Sequence, residues 1–136
     1  MHRGPVYDES VLVNADGTLR NVIVYVKKGI EEYGYPSADK PPLLDQSGCV
    51  YVPHVMVMRP GILHVRNSDN TMHNVHIDPR LNEAFNRGQG GPGVLTAHFT
   101  KFPEVIPFKC DVHPWMRAFV GVFDGPASVT GPEGSL

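Results

Sequence analysis

The chain has 136 residues, and one domain spanning 1–136 is expected because chains divide into separate cores only at about twice this length. Its 41% hydrophobic and 19% charged residues exclude intrinsic disorder. A net charge of -2, without long runs of either sign, argues against nucleic-acid or anionic-membrane partners. No stretch approaches the ~20 apolar residues of a membrane span, so we expect no membrane insertion.

The glycine and proline content predicts an all-β fold. The 14 Gly and 13 Pro residues are scattered along the chain without a period. Such residues terminate helices and favour turns, and many short strands joined by turns are typical of sandwiches. Helical architectures are therefore not expected.

Two extended runs are predicted in the first half of the chain. The β-branched run Val22–Val26 is interpreted as a central strand buried on both faces. The segment Ile30–Gln46 lacks any hydrophobic period and is predicted to be a long surface connection. Cys49–Pro53 and Val55–Met58 form the second extended run, in which Pro53 marks an edge, a bend or a bulge.

The middle of the chain alternates between strand and turn signals. Ile62–Arg66 is predicted as a strand that stops at the turn cluster Asn67–Asn70, and Met72–Ile77 resumes as a strand. The polar segment 78–93 is predicted to be an irregular loop, with one possible helical turn over Leu81–Phe85.

The last third supplies three more strand candidates and a ragged C-terminal tail, Gly125–Leu136. The three candidates are Val94–Phe99, Glu104–Cys110 and Arg117–Phe123. Short strands at this spacing predict a Greek-key β-sandwich of about 7–8 strands.

The densest group of metal-capable side chains lies in a turn between the last two predicted strands. There, Cys110, His113 and Met116 form a C-x2-H-x2-M run. A trigonal copper site uses one Cys and two His with a weak axial Met, and soft sulfur ligands favour copper over magnesium or calcium. The turn thus offers three of the four ligands of such a site.

The second imidazole must come from elsewhere, and the segment Met72–His76 is the best source. Strand alternation places His73 and His76 on opposite faces, so both cannot reach one site. We favour His73, with His76 as the alternative.

These residues resemble those of the cupredoxins, the small blue-copper proteins. The similarity covers roughly Cys49 to Phe123, and the short ligand loop and the phrase His73-Asn74-Val75-His76 are similar to the amicyanin branch. The resemblance implies His73, Cys110 and His113 as equatorial ligands and Met116 as the axial ligand of one copper ion per chain. It also implies that Asn74 ties the two ligand segments together.

The resemblance further implies a function. A one-electron metal held by four protein ligands without an open position suits electron transfer better than turnover, so we expect a carrier and not an enzyme. It would be a monomer that docks transiently with a redox-protein donor and acceptor. We expect a periplasmic or otherwise extracytoplasmic location, although the N-terminus lacks the apolar core of a secretory signal.

Two other functions remain open: a copper-handling protein that stores or delivers the metal, and the copper module of a larger oxidoreductase. Cys49 has three interpretations: a buried structural thiol, a disulfide partner of Cys110, or an extra metal ligand with His54 nearby. A binuclear purple copper site is not expected, because it needs two cysteines on one loop and this loop has one.

Overall fold

The computed structural model describes residues 4–29, 34 and 39–136. These residues form strands, turns and bends, and none of them is helical. No helix that could cross a membrane occurs in the described ranges. The described residues contain thirteen strands: β1 Leu12–Val13, β2 Leu19–Arg20, β3 Ile23–Tyr25, β4 Leu43–Gln46, β5 Tyr51–Val52, β6 Val55–Met58, β7 Gly61–Asn67, β8 His73–Ile77, β9 Phe85–Gln89, β10 Gly93–Phe99, β11 Glu104–Lys109, β12 Arg117–Val122 and β13 Ala127–Val129.

Two sheets carry most of these strands. One has the order β10-β7-β4-β5 and the other the order β6-β12-β11-β8-β9. The β4–β7 and β6–β12 pairs are parallel, whereas the other pairs within the two sheets are antiparallel. The extended run turns at Pro53, so that β5 pairs in one sheet and β6 in the other.

Aromatic rings from the two sheets meet in one core. Phe108 of β11 contacts Phe99 of β10 edge-on, with ring centroids 6.2 Å apart. It contacts Tyr51 of β5 in the same manner at 6.5 Å. Alternate residues of β7, β10, β11 and β12 complete this core, as expected for strands with one face buried. The prediction of an all-β sandwich is confirmed.

The prediction of a central strand at Val22–Val26 is wrong. Only Ile23–Tyr25 is a strand, and it pairs with β13 in a separate two-stranded sheet. Val24 and Tyr25 remain 44% and 40% exposed. β-Branched residues are common both in two-stranded ribbons and in central strands, because both provide a pleated surface for their side chains. The composition of a short run therefore does not distinguish the two.

The predicted surface connection Ile30–Gln46 is wrong over its last four residues. Residues 30–33 and 35–38 of that segment lie outside the described part. Leu43–Gln46 forms β4, which is parallel to β7 and buries Leu44 and Gln46. The polar residues of β4 gave no hydrophobic pattern from which the strand could be predicted. They are accommodated in the sheet by hydrogen bonds: Asp45 accepts one from Arg66 on β7, and the Gln46 amide donates one to Gln89.

Two more segments were predicted as irregular but contain strands. Phe85–Gln89 forms β9, an edge strand that pairs with β8, and no helical turn is present at Leu81–Phe85. Ala127–Val129 of the predicted ragged tail forms β13. Apart from Phe85, which packs against the core, the residues of β9 are polar or glycine, and β13 has only three residues. Neither segment has a hydrophobic pattern, and backbone pairing defines both strands. These additions, with β1 and β2, raise the strand count above the predicted 7–8.

Candidate metal centre

The candidate metal centre lies where β8 begins and β11 ends. His73 is the first residue of β8, and Lys109, which ends β11, pairs with His76 of β8. The loop 110–116 then leads into β12, which pairs with β11. Two adjacent strands of one sheet thereby bring the loop and His73 together.

The loop 110–116 is closed by its own backbone. The Cys110 N–H donates to the Met116 carbonyl (3.3 Å), and the Met116 N–H donates to the His113 carbonyl (2.9 Å). Cys110 and Met116 are buried, whereas His113 is partly exposed. The loop therefore holds its two sulfur side chains inside and one edge of an imidazole near solvent.

Three of the predicted ligand residues meet at one point. The Nδ1 atoms of His73 and His113 lie 3.0 Å apart. The Cys110 sulfur lies 4.0 Å from the His73 Nδ1 and 3.8 Å from the His113 Nδ1. Two imidazole nitrogens and one sulfur thus face one another.

Asn74 joins the two ligand segments. Its Oδ1 accepts hydrogen bonds from the backbone N–H of Asp111 (2.7 Å) and from the Cys110 thiol (3.3 Å). Its Nδ2 donates to Asn86 (2.7 Å) and to the Asp111 carboxylate (3.0 Å). The side chain next to His73 therefore anchors the start of the loop that carries Cys110.

Asp69 orients His73 from the turn that precedes β8. Its carboxylate lies 2.9 Å from the His73 Nε2 and also accepts the backbone N–H groups of Gly48 (2.7 Å) and Cys49 (2.9 Å). Burial opposes ionisation of Asp69, but these hydrogen bonds outweigh it and hold the pKa of the carboxyl below its usual range. Because the Nε2 atom faces this carboxylate, the Nδ1 atom is left for a ligand.

Cys49 is the additional residue at the centre. Its sulfur lies within 4.8 Å of a ring nitrogen of both His73 and His113. Both cysteines are free and buried, so the structure does not join Cys49 to Cys110. Burial, with a smaller contribution from the Asp69 charge, raises the pKa of the Cys49 thiol. His54, the suggested companion of Cys49, instead lies against the Arg117 carbonyl (3.0 Å).

The other predicted site residues are placed as follows. His76 faces away from His73 and bonds the Asp111 carboxylate (2.7 Å), so alternation separates the two histidines as expected. Met116 is buried in the loop that carries Cys110 and His113, and its role as axial ligand stays a prediction. Asp69 was not predicted from the sequence as the hydrogen-bond partner of His73. Its position four residues before His73 is the only feature of the sequence that could have indicated this role.

The donor set fits a soft first-row metal ion. In a trigonal planar site, the metal ion lies about 2.0 Å from each nitrogen and about 2.3 Å from the thiolate sulfur, with angles of about 120°. The sulfur and each nitrogen are then about 3.7 Å apart. The observed sulfur–nitrogen distances of 3.8 and 4.0 Å are close to this value. The two nitrogens, 3.0 Å apart, are closer than the about 3.5 Å of the same arrangement, so they would move apart slightly around an ion. Imidazole and thiolate donors are typical of copper and zinc sites, not of magnesium or calcium sites.

No family model matches the sequence, and no curated protein does. Solved structures do match. A copper-containing nitrite reductase from Thermus scotoductus SA-01 superposes with a TM-score of 0.58 and 20% identity, over 76% of this chain and 26% of the reductase chain. This chain thus spans about a quarter of that protein.

Two smaller copper proteins are also similar. A mutant of amicyanin in its reduced Cu(I) form has a TM-score of 0.56 and 22% identity, over 63% of this chain and 85% of amicyanin. A purple cupredoxin from Nitrosopumilus maritimus has a TM-score of 0.51 and 18% identity, over 60% of this chain and 99% of its own. The chain therefore has a cupredoxin-like fold, as the sequence resemblance implied.

Proposed function

We propose that the chain binds one copper ion and carries single electrons between redox partners. The observation that carries the proposal is the meeting of the Cys110 sulfur with the Nδ1 atoms of His73 and His113. His73, Cys110 and His113 would hold the metal, with Met116 as a fourth, axial sulfur. When bound, copper would supply a reversible one-electron couple.

The surroundings of these side chains favour transfer over turnover. His73 is fully buried, and Cys110 and Met116 are nearly so. The burial of these three side chains leaves little room for a substrate molecule. The hydrogen bonds of the Cys110 thiol to the Asn74 Oδ1 and of the His73 ring to the Asp69 carboxylate fix the geometry of the two ligands. A fixed geometry lowers the rearrangement between two oxidation states, so we propose a carrier and not an enzyme.

The partly exposed His113 would be the route to a partner. Its ring contacts Trp115 edge-on at 5.2 Å between centroids, and Trp115 and Val112 of the same loop are 46% and 47% exposed. A small apolar surface formed by these two side chains beside His113 suits a transient contact with a donor or acceptor protein. The proposal includes a monomer and an extracytoplasmic location, which gel filtration and cell fractionation test.

Copper titration tests the metal site. Copper(II) is expected to give an intense blue-to-green absorption with one ion per chain, since a thiolate–copper bond absorbs strongly. Cys110→Ser should lose at least about half of this absorption, because it removes a thiolate. His73→Ala should lose it as well, while the matched control His76→Ala keeps it, because only His73 faces Cys110. A colourless copper-loaded chain would contradict the proposal.

Voltammetry separates a carrier from a copper-handling protein. A carrier is expected to exchange one electron per chain reversibly and to keep its copper through many cycles. Release of the metal on reduction, or more than one copper per chain, would instead favour storage or delivery.

A second candidate function is the copper module of a larger oxidoreductase. It is favoured by the likeness to the Thermus nitrite reductase, of which this chain matches 26%. An antibody against this chain, applied to extracts of the source cells, distinguishes the two. A band at the mass of the 136 residues supports the carrier, and a much larger band supports the module.

A further inference from the structure

Cys49 occupies a position that the four-residue ligand set does not explain. Its side chain is 3% exposed, and its sulfur lies within 4.8 Å of a ring nitrogen of both His73 and His113. These are the two imidazoles that also face Cys110. Two sulfurs from separate parts of the chain therefore lie next to one pair of histidines.

The backbone at Cys49 is tied to both sides of the centre. Its N–H donates to Asp69, whose carboxylate also contacts the His73 ring. Its carbonyl accepts the indole N–H of Trp115 on the loop 110–116 (2.9 Å). The turn that carries Cys49 is thus fixed relative to each histidine before any metal arrives.

The conformation of Cys49 is unfavourable for a residue with a side chain. Its φ angle is 59°, in the left-handed region, and follows Gly48 at 66°. A non-glycine residue seldom adopts this conformation, and such positions cluster at functional sites. Glycine would adopt it readily but would remove the sulfur.

We propose that Cys49 supplies a second thiolate to the metal bound at His73, Cys110 and His113. This inference rests on the proposed metal site and deepens it. Cys49 would then take the fourth position in place of Met116. Two thiolates and two imidazoles form a set that suits tetrahedral ions and the soft Cu(I) state better than a single-thiolate set does. We therefore expect the site to hold Cu(I), and to accept Zn²⁺ or Co²⁺, more tightly than it would without Cys49.

Titration of the reduced chain with Co²⁺ counts the thiolates. Each cobalt–thiolate bond contributes near-ultraviolet charge-transfer absorption, and the visible bands report tetrahedral coordination. Cys49→Gly and Cys110→Ser are each expected to lower the charge-transfer intensity to about half, as one of two thiolates is lost. The double variant should show almost none. Both thiols are counted by thiol titration before metal is added, because both are free in the fold.

Cys49→Gly is the main variant because glycine accepts the left-handed φ angle. Cys49→Ala also removes the sulfur but keeps a side chain. If both variants lower the charge-transfer intensity equally, the loss comes from the missing sulfur and not from a change in the backbone. Metal-free thermal unfolding serves as the folding control. Co²⁺ should raise the melting temperature of the wild type more than that of either variant, since the stabilisation by a bound metal increases with the logarithm of its affinity.

The outcomes separate this inference from the proposed site. If Cys110→Ser halves the absorption and Cys49→Gly leaves it unchanged, the Cys49 inference is overturned and the site at Cys110 stands. If Cys49→Gly halves the absorption and Cys110→Ser does not change it, the proposed site is wrong while Cys49 still binds metal. A wild type without charge-transfer absorption overturns both.

Discussion

Replacing Asn74 by alanine should destabilise the metal-free protein by more than the loss of one hydrogen bond would. The side chain is 7% exposed and accepts the Asp111 N–H at 2.7 Å while donating to Asn86 and to the Asp111 carboxylate. Each such bond contributes about 1 kcal/mol, and a buried N–H left without an acceptor costs about 1–3 kcal/mol. We expect Asn74→Ala to lower the free energy of unfolding by about 2–4 kcal/mol.

Urea denaturation of the metal-free protein measures this loss without interference from bound copper. The matched control is Asn70→Ala, because Asn70 lies exposed in the turn before β8, and its replacement should stay within about 0.5 kcal/mol of wild type. Equal losses in the two variants would show that Asn74 does not anchor the loop that carries Cys110.

Two further predictions concern parts of the fold away from the centre. Phe108→Ala should cost about 3–5 kcal/mol because Phe108 is fully buried, whereas Val105→Ala, on an exposed position of the same strand, should cost under about 1 kcal/mol; similar losses in urea would contradict the described core. At Glu104, burial opposes ionisation, but hydrogen bonds from Asn82 and its backbone neighbours outweigh it and hold the pKa below the usual 4.5. The ionised Glu104 carboxylate therefore stabilises the fold above pH 4.5, and this stabilisation is lost as the pH falls through the lower pKa of the folded state. The difference in free energy of unfolding between wild type and Glu104→Gln should shrink between about pH 6 and pH 3. A constant difference would contradict this.

The sequence was most informative where one face of a strand is buried. Gly61–Asn67 and Gly93–Phe99 alternate buried and exposed residues, so their periodicity predicted strands within one residue of the observed bounds. The polar edge strand Phe85–Gln89 has no such pattern. It exists because its backbone pairs with β8, and pairing between distant segments leaves no local signal.

The candidate site divides in the same way. The spacing of Cys110, His113 and Met116 is local. Alternation showed only that His73 and His76 cannot both reach one site, and the family resemblance favoured His73. Cys49 was recognised only as a cysteine of several possible roles. Its approach to His73 depends on the turn between β4 and β5 and on Asp69, which bonds both segments, and neither contact could be predicted from spacing.

A crystal structure of the copper-loaded chain, with anomalous scattering measured at the copper edge, tests the central claim most directly. The account predicts one strong peak per chain, within bonding distance of the Cys110 sulfur and of the Nδ1 atoms of His73 and His113. A peak at another group of side chains, or no ordered copper in a fully loaded sample, would contradict it.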